Sequence, residues 1–402
     1  MKKLLFVFFF YYIIFCSINI PNPAYLKKIY NITDAQGIKI IAQFPEYKDF
    51  ISYGERPNCF DPLDLLTLNS TIDWDNPQSY GIKSAKNLYI ARIHKAFIAP
   101  SYLGTIFDYK QQLLFEIMVN PGEPIFWPVE SQIKNFNVLK YEKIATVQGP
   151  TFFYHWVIDR LPSVLLLRDY IVNDPEIKLI INHHGAIANY VHEYLDLLGI
   201  PKHQRIIAEE NTLYYAHKIY FATPFLMEPI PKKLLLKLRN ELLQAASKCP
   251  ISRQYKNNLI VVIQRKESDR KIRNLNELLE VIKTVFADQD YEIIIFDGNM
   301  SVSEQIQIFN NARLIIGVMA SGLTNILYAN PGAFVIEIHP KFPYLNKAGV
   351  NNSGNEWCWW LSSVIGLNYW VIPVLFNLSN PSVVCPLDHI KKILDMIIIK
   401  KS

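Results

Sequence analysis

The segment from residue 313 to residue 340 places small and polar residues between two apolar runs. It reads RLIIGVMASGLTNILYANPGAFVIEIHP, so a glycine-containing turn follows the first run and a carboxylate closes the second. Backbone N–H groups at the start of a helix bind anions, and a carboxylate after the next strand can hold a ribose. The segment therefore predicts half of a nucleotide site, with ligand contacts from Gly317, Ser321, Gly322, Thr324, Asn325 and Glu337.

Three arginines follow an earlier apolar run, NLIVVI, and predict the anionic part of the same site. Arg265 comes just after that run, and Arg270 and Arg273 follow shortly. Each guanidinium can donate charge-assisted hydrogen bonds to diphosphate oxygens, although a solvated basic loop is the alternative. Glu304, at the start of a later helical pattern, is a further candidate for donor binding. A first-turn helix charge explains that glutamate equally well.

His155 and Asp159 are the candidate acid–base residues. They stand four positions apart in YHWVIDRLP, so a helix would place them on one face. A carboxylate beside an imidazole raises its basicity and fixes its orientation. We predict that His155 is the base and Asp159 its orienting partner. The reverse assignment and a purely structural hydrogen bond are the alternatives.

No metal site is predicted from the acidic residues or the cysteines. Asp288 and Asp290 form an Asp-x-Asp triplet but precede a strand, and Asp73 and Asp75 lie in a polar loop with no strand before them. The five cysteines are widely spaced, and none forms a CxxC pair. A tryptophan cluster would either stack on a sugar or form a buried helix face: Trp357, Trp359 and Trp360.

Apolar runs alternate with helical patterns from residue 258 onward. This alternation predicts a parallel sheet whose two faces are both covered by helices. The preceding half carries further strand and helix patterns after a region rich in strands and turns. The predicted fold class is therefore α/β, with two Rossmann-like units facing a cleft. In such sheets ligands bind at the carboxyl ends of the strands.

These patterns divide the chain into five parts. The first is a signal peptide or membrane anchor, because two lysines precede an apolar run that prolines end. The second and fourth are α/β domains, and a polar linker separates them. A C-terminal helix is expected to pack back across the domain boundary. In order, the predicted parts are residues 1–24, 25–247, 248–258, 259–385 and 386–402.

The overall charge and the leader limit the partners of the chain. The net charge of +5 comes from 41 basic and 36 acidic residues that are scattered along the sequence. Because no dense basic stripe is present, nucleic acid is not an expected partner. The leader predicts a membrane contact and a protein that is membrane-anchored or exported. In a eukaryote this means the secretory-pathway lumen, and in a bacterium a membrane-associated position.

Five blocks of the sequence, taken in order, resemble glycosyltransferase family 61. The resemblance covers roughly residues 85–380. It implies a GT-B architecture with a nucleotide-sugar donor, a UDP-sugar by our prediction, on the C-terminal domain. It also implies inverting transfer to a glycan or protein-linked hydroxyl, without a cofactor or an obligatory metal. The blocks are YHWVIDRLP, QRKESDRKIRNLNE, SEQIQIFNNARLIIG, SGLTNILYANPGAFVIEI and LSSVIGLNYWV.

The resemblance also assigns roles by position, and in one place the chain departs from it. It supports the acid–base pair and the arginines, and it adds Leu323 to the donor-binding residues of the glycine turn. Relatives commonly have His-Gly-Ala in that turn, whereas this chain has Met319 followed by Ala320 and Ser321. The alternative function is therefore a catalytically silent relative that binds glycan or nucleotide. A nucleotide-sugar epimerase fits the fold but not the blocks or the leader.

Overall fold

The computed structural model describes most of the second half of the chain and separate parts of the first. The predicted leader at 1–24 and the residues Asp73 and Asp75 lie outside the described residues. Within the described residues, no helix is both long enough and apolar enough to cross a membrane. The described ranges are 38–43, 58–59, 88–99, 105–108, 113–115, 136–147, 152–181, 189–209, 211–223, 230–266, 270–341, 357–375 and 382–399.

Two β-sheets organise these residues. Their strands are β1 (Ile38–Gln43), β2 (Asn58–Cys59), β3 (Tyr89–Ala99), β4 (Thr105–Asp108), β5 (Leu113–Phe115), β6 (Asn137–Val147), β7 (Ile177–Ile181), β8 (Arg205–Ile207), β9 (Thr212–Ala222), β10 (Leu259–Ile263), β11 (Glu292–Phe296), β12 (Ala312–Val318), β13 (Phe334–Lys341) and β14 (Asn368–Leu375). The first sheet has the order β5-β4-β3-β9-β6-β7-β8, with β1 paired to β3. The second has the order β11-β10-β12-β13-β14-β2.

The second sheet is parallel in every pair, as the alternating pattern predicts. All five side chains of β10 are buried, which is typical of a strand covered on both faces. The first sheet is mixed, because β6 to β9 pair in parallel whereas β3 pairs antiparallel with β1, β4 and β9. The α/β class is confirmed, and the two sheets are consistent with two Rossmann-like units. The short strand β2 comes from the predicted first domain yet completes the second sheet.

The helices follow the predicted 3.6-residue periodicity, with one change of helix type. A π-helix at His155–Arg160 leads directly into α1, which has Pro162 in its first turn. The helices are α1 (Leu161–Asn173), α2 (Asn189–Leu197), α3 (Lys232–Ala246), α4 (Leu275–Val285), α5 (Val302–Asn310), α6 (Trp357–Ile365) and α7 (Leu387–Ile399). The described residues also form two 3₁₀ helices, a short one at Lys202–Gln204 and one at Ser321–Tyr328, named here the glycine-turn helix.

Helices α4 and α7 cover one face of the second sheet. The two helices contact each other and share a hydrophobic cluster with the strands. The C-terminal helix therefore packs on the sheet of its own half of the molecule. The reason is its apolar stripe, whose buried side chains all lie in this cluster: Ile390, Ile393, Leu394 and Ile397.

The other face of the second sheet meets the first half of the chain. A single hydrophobic cluster contains residues from both halves, and α2 and α3 contact α5. Arg239 on α3 donates from Nε to the carbonyl of Leu327 at 2.9 Å and from Nη2 to that of Ala329 at 2.8 Å. The Tyr328 hydroxyl donates to the Tyr194 hydroxyl at 2.9 Å. These bonds fasten the end of the glycine-turn helix to the first half.

Candidate active site

The π-helix is a local response to the proline that follows it. The backbone N–H of Leu161 donates to the carbonyl of Trp156, five residues earlier, so the turn is wider than in an α-helix. Pro162 has no N–H, and its ring would clash with the carbonyl of Ile158 in a regular helix. Widened turns of this kind are frequent at functional sites. The turn carries both residues of the predicted acid–base pair.

His155 and Asp159 are in contact, as their spacing predicts. Nδ1 of the imidazole lies 2.6 Å from Oδ2 of the carboxylate. The histidine side chain is 24% exposed, whereas the aspartate side chain is 1% exposed. The carboxylate therefore fixes one edge of an imidazole whose other edge, with Nε2, can reach solvent or a ligand. This is the arrangement that a general base needs.

A buried cation accompanies this pair. Arg160 is fully buried, and its guanidinium carbon lies 6.0 Å from the centroid of the Trp156 ring. Burial lowers the pKa of Arg160 to about 9, and the negative charge of Asp159 acts in the opposite direction. A buried carboxylate is costly without a compensating charge, so the neighbouring guanidinium stabilises it. Sequence reasoning did not identify Arg160 as part of the site.

Aromatic contacts connect the acid–base pair to the second half of the molecule. The ring of Tyr154 lies 5.1 Å from the His155 ring and 4.7 Å from the Trp357 ring, between centroids. Trp357 opens α6, and the two other tryptophans of the cluster, Trp359 and Trp360, are only 2% and 4% exposed. Those two residues belong to the buried helix face that was one of the two interpretations. Trp357, half-buried, stands at the junction of the halves.

The arginine-containing loop after β10 is closed by a glutamine. The side chain of Gln264 donates to the carbonyl of Ile272 and accepts from its N–H, both at 3.0 Å. Within this loop Arg265 is half-buried, and Nη1 of Arg270 donates to the carbonyl of Met319 at 3.1 Å. Arg270 has a positive φ of 55°, an unusual conformation for a non-glycine residue. The loop thus brings an arginine to the glycine turn.

Arg273 differs from the other two arginines. It is exposed, and its backbone N–H donates to the carbonyl of Val383 at 2.8 Å. Its position lies beyond the point where Gln264 closes the loop. The structure therefore brings Arg270, but not Arg273, into contact with the glycine turn.

The glycines of the turn have a packing reason. A Cβ added to Gly317 would lie 3.0 Å from Cβ of Ile263, and one added to Gly322 would lie 3.2 Å from Cγ2 of the same residue. Contacts this short force a neighbour to move. Gly317 therefore lets β12 pair closely with β10, and Gly322 lets the glycine-turn helix pack against the end of β10. This packing role exists whether or not a ligand binds.

The remaining residues that were predicted to bind the donor in the turn differ in solvent exposure. Ser321 is exposed at the start of the glycine-turn helix, where backbone N–H groups can face a ligand. Leu323 and Thr324 are fully buried, and Asn325 is 1% exposed, with its amide donating to Gln305 at 3.3 Å. The buried three belong to the core beneath the turn. A donor would meet Ser321 and the backbone first.

Glu304 contacts the linker. Its Oε1 accepts hydrogen bonds from the hydroxyl of Tyr255, at 2.5 Å, and from that of Ser252. Its backbone N–H donates to Ser301, the N-cap of α5. These contacts are those of a first-turn helix charge that anchors the linker, which was the alternative reading of this residue. A donor contact would have to replace them.

Glu337 lies inside the second sheet. Strand β13 extends beyond it to Lys341, so the carboxylate does not close the strand as the apolar run predicts. Glu337 is 0% exposed, and its Oε1 and Oε2 lie 2.6 Å from His339 Nδ1 and the Tyr369 hydroxyl, respectively. Burial, and then the charge and hydrogen bond of Glu337, raise the pKa of the Cys358 thiol well above its usual value. The carboxylate thus has three partners.

Sequence reasoning missed His339, although a signal for it was present. Residues two apart on a strand share a face, so His339 follows Glu337 on the same side of β13. Its side chain is 10% exposed. The backbone N–H of Met319 donates to the carbonyl of Ile338 at 3.0 Å, which places the glycine turn beside this end of β13. A histidine therefore lies at the carboxyl edge that the donor is predicted to use.

Of the two Asp-x-Asp triplets, the one within the described residues lies at the opposite edge of the second sheet, away from the predicted donor site. Asp288 and Asp290 precede β11, and the carboxylate of Asp290 pairs with Lys256. Both positions are at the amino end of the strand, as predicted. Among the residues with a described placement, no group of three or more His, Cys, Asp or Glu side chains could hold a metal ion.

Comparison with known proteins then assigns this region. Residues 153–336 match the model of the family Glycosyltransferase 61. The chain contains a glycosyltransferase 61 domain. The resemblance predicted from the sequence blocks is thereby confirmed. The domain begins just before the π-helix and ends at Ile336, so it includes the acid–base pair and the glycine turn but stops one residue before Glu337.

Two relatives match shorter stretches of the chain. The EGF domain-specific O-linked N-acetylglucosamine transferase of Gallus gallus is 32% identical over 83 residues, which are 20% of this chain and 15% of that protein. The protein of the same name from Bos taurus is 29% identical over 114 residues, which are 27% of this chain and 19% of that protein. The chain therefore aligns with less than a fifth of each relative's length. The glycosyltransferase 61 domain is the shared feature, and the similarity is distant.

Proposed function

We propose that this protein is an inverting glycosyltransferase that moves a sugar from a nucleoside-diphosphate sugar, a UDP-sugar, to a hydroxyl of a glycan or a protein. The observation that carries the proposal is the 2.6 Å contact between His155 and the buried Asp159 inside the glycosyltransferase 61 domain. The partly exposed imidazole and its fixed partner suit proton removal from an acceptor. The two sheets support a GT-B architecture, with the donor at the carboxyl edge of the second sheet.

The proposed reaction is a single displacement at the anomeric carbon. The acceptor oxygen attacks that carbon as its proton passes to Nε2 of His155, and the bond from the carbon to the diphosphate oxygen breaks. The diphosphate leaves with the bonding electron pair, and the configuration inverts. Asp159 holds Nδ1 and stabilises the imidazolium that forms. A positioned base of this kind typically contributes about 10²–10⁴-fold to the rate.

The leaving diphosphate needs positive charge and hydrogen-bond donors. Arg265 and Arg270 supply guanidinium groups in the loop that Gln264 closes, and Ser321 begins the glycine-turn helix. Guanidinium and backbone N–H groups both bind phosphate oxygens well. In this proposal they take the part that a metal ion plays in metal-dependent transferases. Activity should therefore survive treatment of the protein with EDTA.

The relatives give a starting point for the donor and the acceptor. Their name describes transfer of O-linked N-acetylglucosamine to EGF domains. We therefore take the UDP sugar of N-acetylglucosamine and a folded EGF domain as the first pair to assay. With the predicted leader at 1–24, the proposed protein is membrane-anchored or exported.

Release of UDP tests the proposal. Full-length protein is incubated with a panel of UDP-sugars, with and without acceptor, and UDP is measured by a coupled assay. The expected result is UDP release that depends on the acceptor for one donor. NMR of the product should show that the anomeric configuration is opposite to that of the donor. Release that no acceptor stimulates would contradict transfer. Binding of a UDP-sugar without any release would support the second candidate.

The second candidate function is a silent relative that binds the nucleotide sugar or a glycan. Met319 favours it, because the resemblance expects an imidazole in the turn at this point. Met319 is buried, and its backbone is bonded on both sides, by Arg270 and by Ile338. Replacing Met319 with histidine should raise turnover if the missing imidazole limits catalysis. An unchanged rate would show that the turn works without it.

A further inference from the structure

The ribose contact predicted for Glu337 does not suit the position of this residue. Its carboxylate is 0% exposed, and its two oxygens already accept from His339 Nδ1 and the Tyr369 hydroxyl. The Cys358 thiol is a third partner. Because the carboxylate is buried beneath these groups, a ribose hydroxyl could reach it only if one of them moved aside. A different residue must meet the ligand.

His339 has the position that Glu337 lacks. It lies two residues closer to the carboxyl end of β13, at the edge where parallel sheets bind their ligands. Its side chain keeps 10% exposure. Among the described residues, its hydrogen bond is to Glu337 through Nδ1, which leaves Nε2 on the opposite edge of the ring for a ligand. The glycine turn stands beside it, through the bond from Met319 to Ile338.

The partners of Glu337 determine which nitrogen carries the proton. An ionised carboxylate only accepts hydrogen bonds, and the hydroxyl of Tyr369 and the thiol of Cys358 both donate to it. Nδ1 of His339 must therefore donate as well. In a neutral imidazole with its proton on Nδ1, Nε2 is an acceptor. An acceptor at this edge matches a hydroxyl group of the ligand, not a phosphate oxygen.

We infer that His339 accepts a hydrogen bond from a ribose hydroxyl of the nucleotide donor, and that Glu337 is the positioning residue that fixes its tautomer. This inference rests on the proposed function, because it names the contact by which the proposed donor is recognised. Two parts of a nucleotide sugar carry hydroxyls, the ribose and the transferred sugar. The carboxyl end of the strand next to the glycine turn is where a ribose is held in related sheets, so the ribose is the assigned partner.

The test measures how strongly the protein distinguishes ribose from deoxyribose. Calorimetry on the full chain gives the dissociation constants of UDP and of its 2′-deoxy and 3′-deoxy analogues, none of which carries a transferred sugar. His339→Asn keeps an amide at the place of Nδ1, toward Glu337, but has no group at the place of Nε2. His339→Gln retains an amide near Nε2. His203→Asn, the same change at an exposed histidine of the first half, is the matched control.

We expect the wild type and His203→Asn to bind UDP about three- to tenfold more tightly than one of the deoxy analogues, as one neutral hydrogen bond allows. His339→Asn should bind UDP and that deoxy analogue with equal affinity, so its ratio of the two affinities should be about one. His339→Gln should recover part of the wild-type ratio. Glu337→Gln should weaken the ratio without abolishing it. In the His339→Asn background, Glu337→Gln should change the ratio no further, because the glutamate acts through the histidine.

Three results would overturn the inference. A His339→Asn protein that keeps the full ratio, with its melting transition intact, would remove His339 from the ribose. A loss seen with a UDP-sugar but not with UDP would move the contact to the transferred sugar. A wild type that binds no nucleoside diphosphate at all would reject the proposed function together with the inference. If His339→Asn unfolds, His339→Gln decides: a ratio below that of the wild type at equal stability supports the contact, and an unchanged ratio contradicts it.

Discussion

Two imidazole–carboxylate pairs, one in each half of the molecule, share the same local geometry. In both, Nδ1 of the histidine lies 2.6 Å from a carboxylate oxygen, and in both the carboxylate is buried. His155 and Asp159 are four residues apart on a π-helix, whereas Glu337 and His339 are two residues apart on a strand. The pairs differ in exposure. The His155 side chain is 24% exposed and that of His339 is 10% exposed.

This difference indicates different tasks for the same pair of groups. A base must release its proton to solvent after each turnover, and the more exposed imidazole can do so. The carboxylate behind it has a buried cation, Arg160, as its neighbour. The carboxylate behind His339 instead accepts from neutral donors, Tyr369 and Cys358, which hold one tautomer. The helix pair suits proton transfer, and the strand pair suits a fixed hydrogen bond.

Removing the imidazole of the helix pair should have the largest effect. His155→Ala is expected to lower kcat at least a hundredfold, because a positioned base contributes about 10²–10⁴-fold. The dissociation constant for UDP should change less than threefold, since the side chain faces the acceptor in the proposed reaction. Steady-state kinetics and calorimetry on the same preparation measure the two quantities. His192→Ala, on α2, serves as the control for a histidine outside the site.

The outcome for His155→Ala also tests the comparison. If turnover is normal, or if the protein is unfolded by circular dichroism, the helix pair is structural and the base is unassigned. If kcat falls and UDP affinity falls equally, the two pairs do not have separate tasks. Asp159→Asn should lower kcat by a smaller factor, because the amide can still bond to Nδ1 but does not carry the charge that stabilises the imidazolium.

Much of the second half could be predicted from the sequence because its signals are local. The alternation of apolar runs with 3.6-residue periodicity locates β10 to β13 and α4, and Ser301 caps α5 as its position before a helical pattern indicates. The extent of β13 was not predictable in this way. His339 and Pro340 read as the end of an apolar run, yet pairing with β14 continues the strand through Lys341. That pairing depends on a distant strand.

The site was predictable where its geometry is local and not where it depends on packing. The spacing of four residues was enough to bring His155 and Asp159 together. The burial of Glu337 could not be predicted from the sequence, because its partners Cys358 and Tyr369 come from α6 and β14, respectively. The glycines at 317 and 322 read as ligand contacts, but their close approach to Ile263 is a property of the folded sheet. Long-range contacts decide these roles.

Removing the carboxylate of the strand pair should affect stability more than catalysis. Glu337→Ala leaves three buried donors, on His339, Tyr369 and Cys358, without their acceptor. We expect a loss of about 3 kcal/mol in the free energy of unfolding, the order seen when a buried pair is broken. Urea denaturation followed by fluorescence measures it. A variant as stable as the wild type would show that solvent reaches these donors. The strand pair would then not differ from the more exposed helix pair in the way proposed above.

An arginine should affect donor binding by an intermediate amount. Arg270 donates to the carbonyl of Met319 and stands at the glycine turn, so Arg270→Ala should weaken UDP binding about tenfold, as loss of a hydrogen bond to a charged group does. Arg273→Ala is the matched control, because Arg273 is exposed and outside the loop that Gln264 closes. We expect that change to weaken binding less than twofold. Equal losses would indicate a general electrostatic effect, which raising the salt concentration would reduce for both.

The smallest effect is expected for Tyr369→Phe, which tests the contact of one carboxylate oxygen of Glu337 separately from that of the other. The Tyr369 hydroxyl donates to Oε2, whereas His339 bonds to Oε1, so Tyr369→Phe removes one contact and leaves the histidine in place. We expect a loss of about 1 kcal/mol in the free energy of unfolding, the net value of a typical hydrogen bond. The preference for UDP over its deoxy analogues should be unchanged. If Tyr369→Phe abolished that preference at nearly full stability, the tyrosine would be a necessary part of the tautomer control. The strand pair would then work as a three-residue unit, unlike the helix pair in the first half.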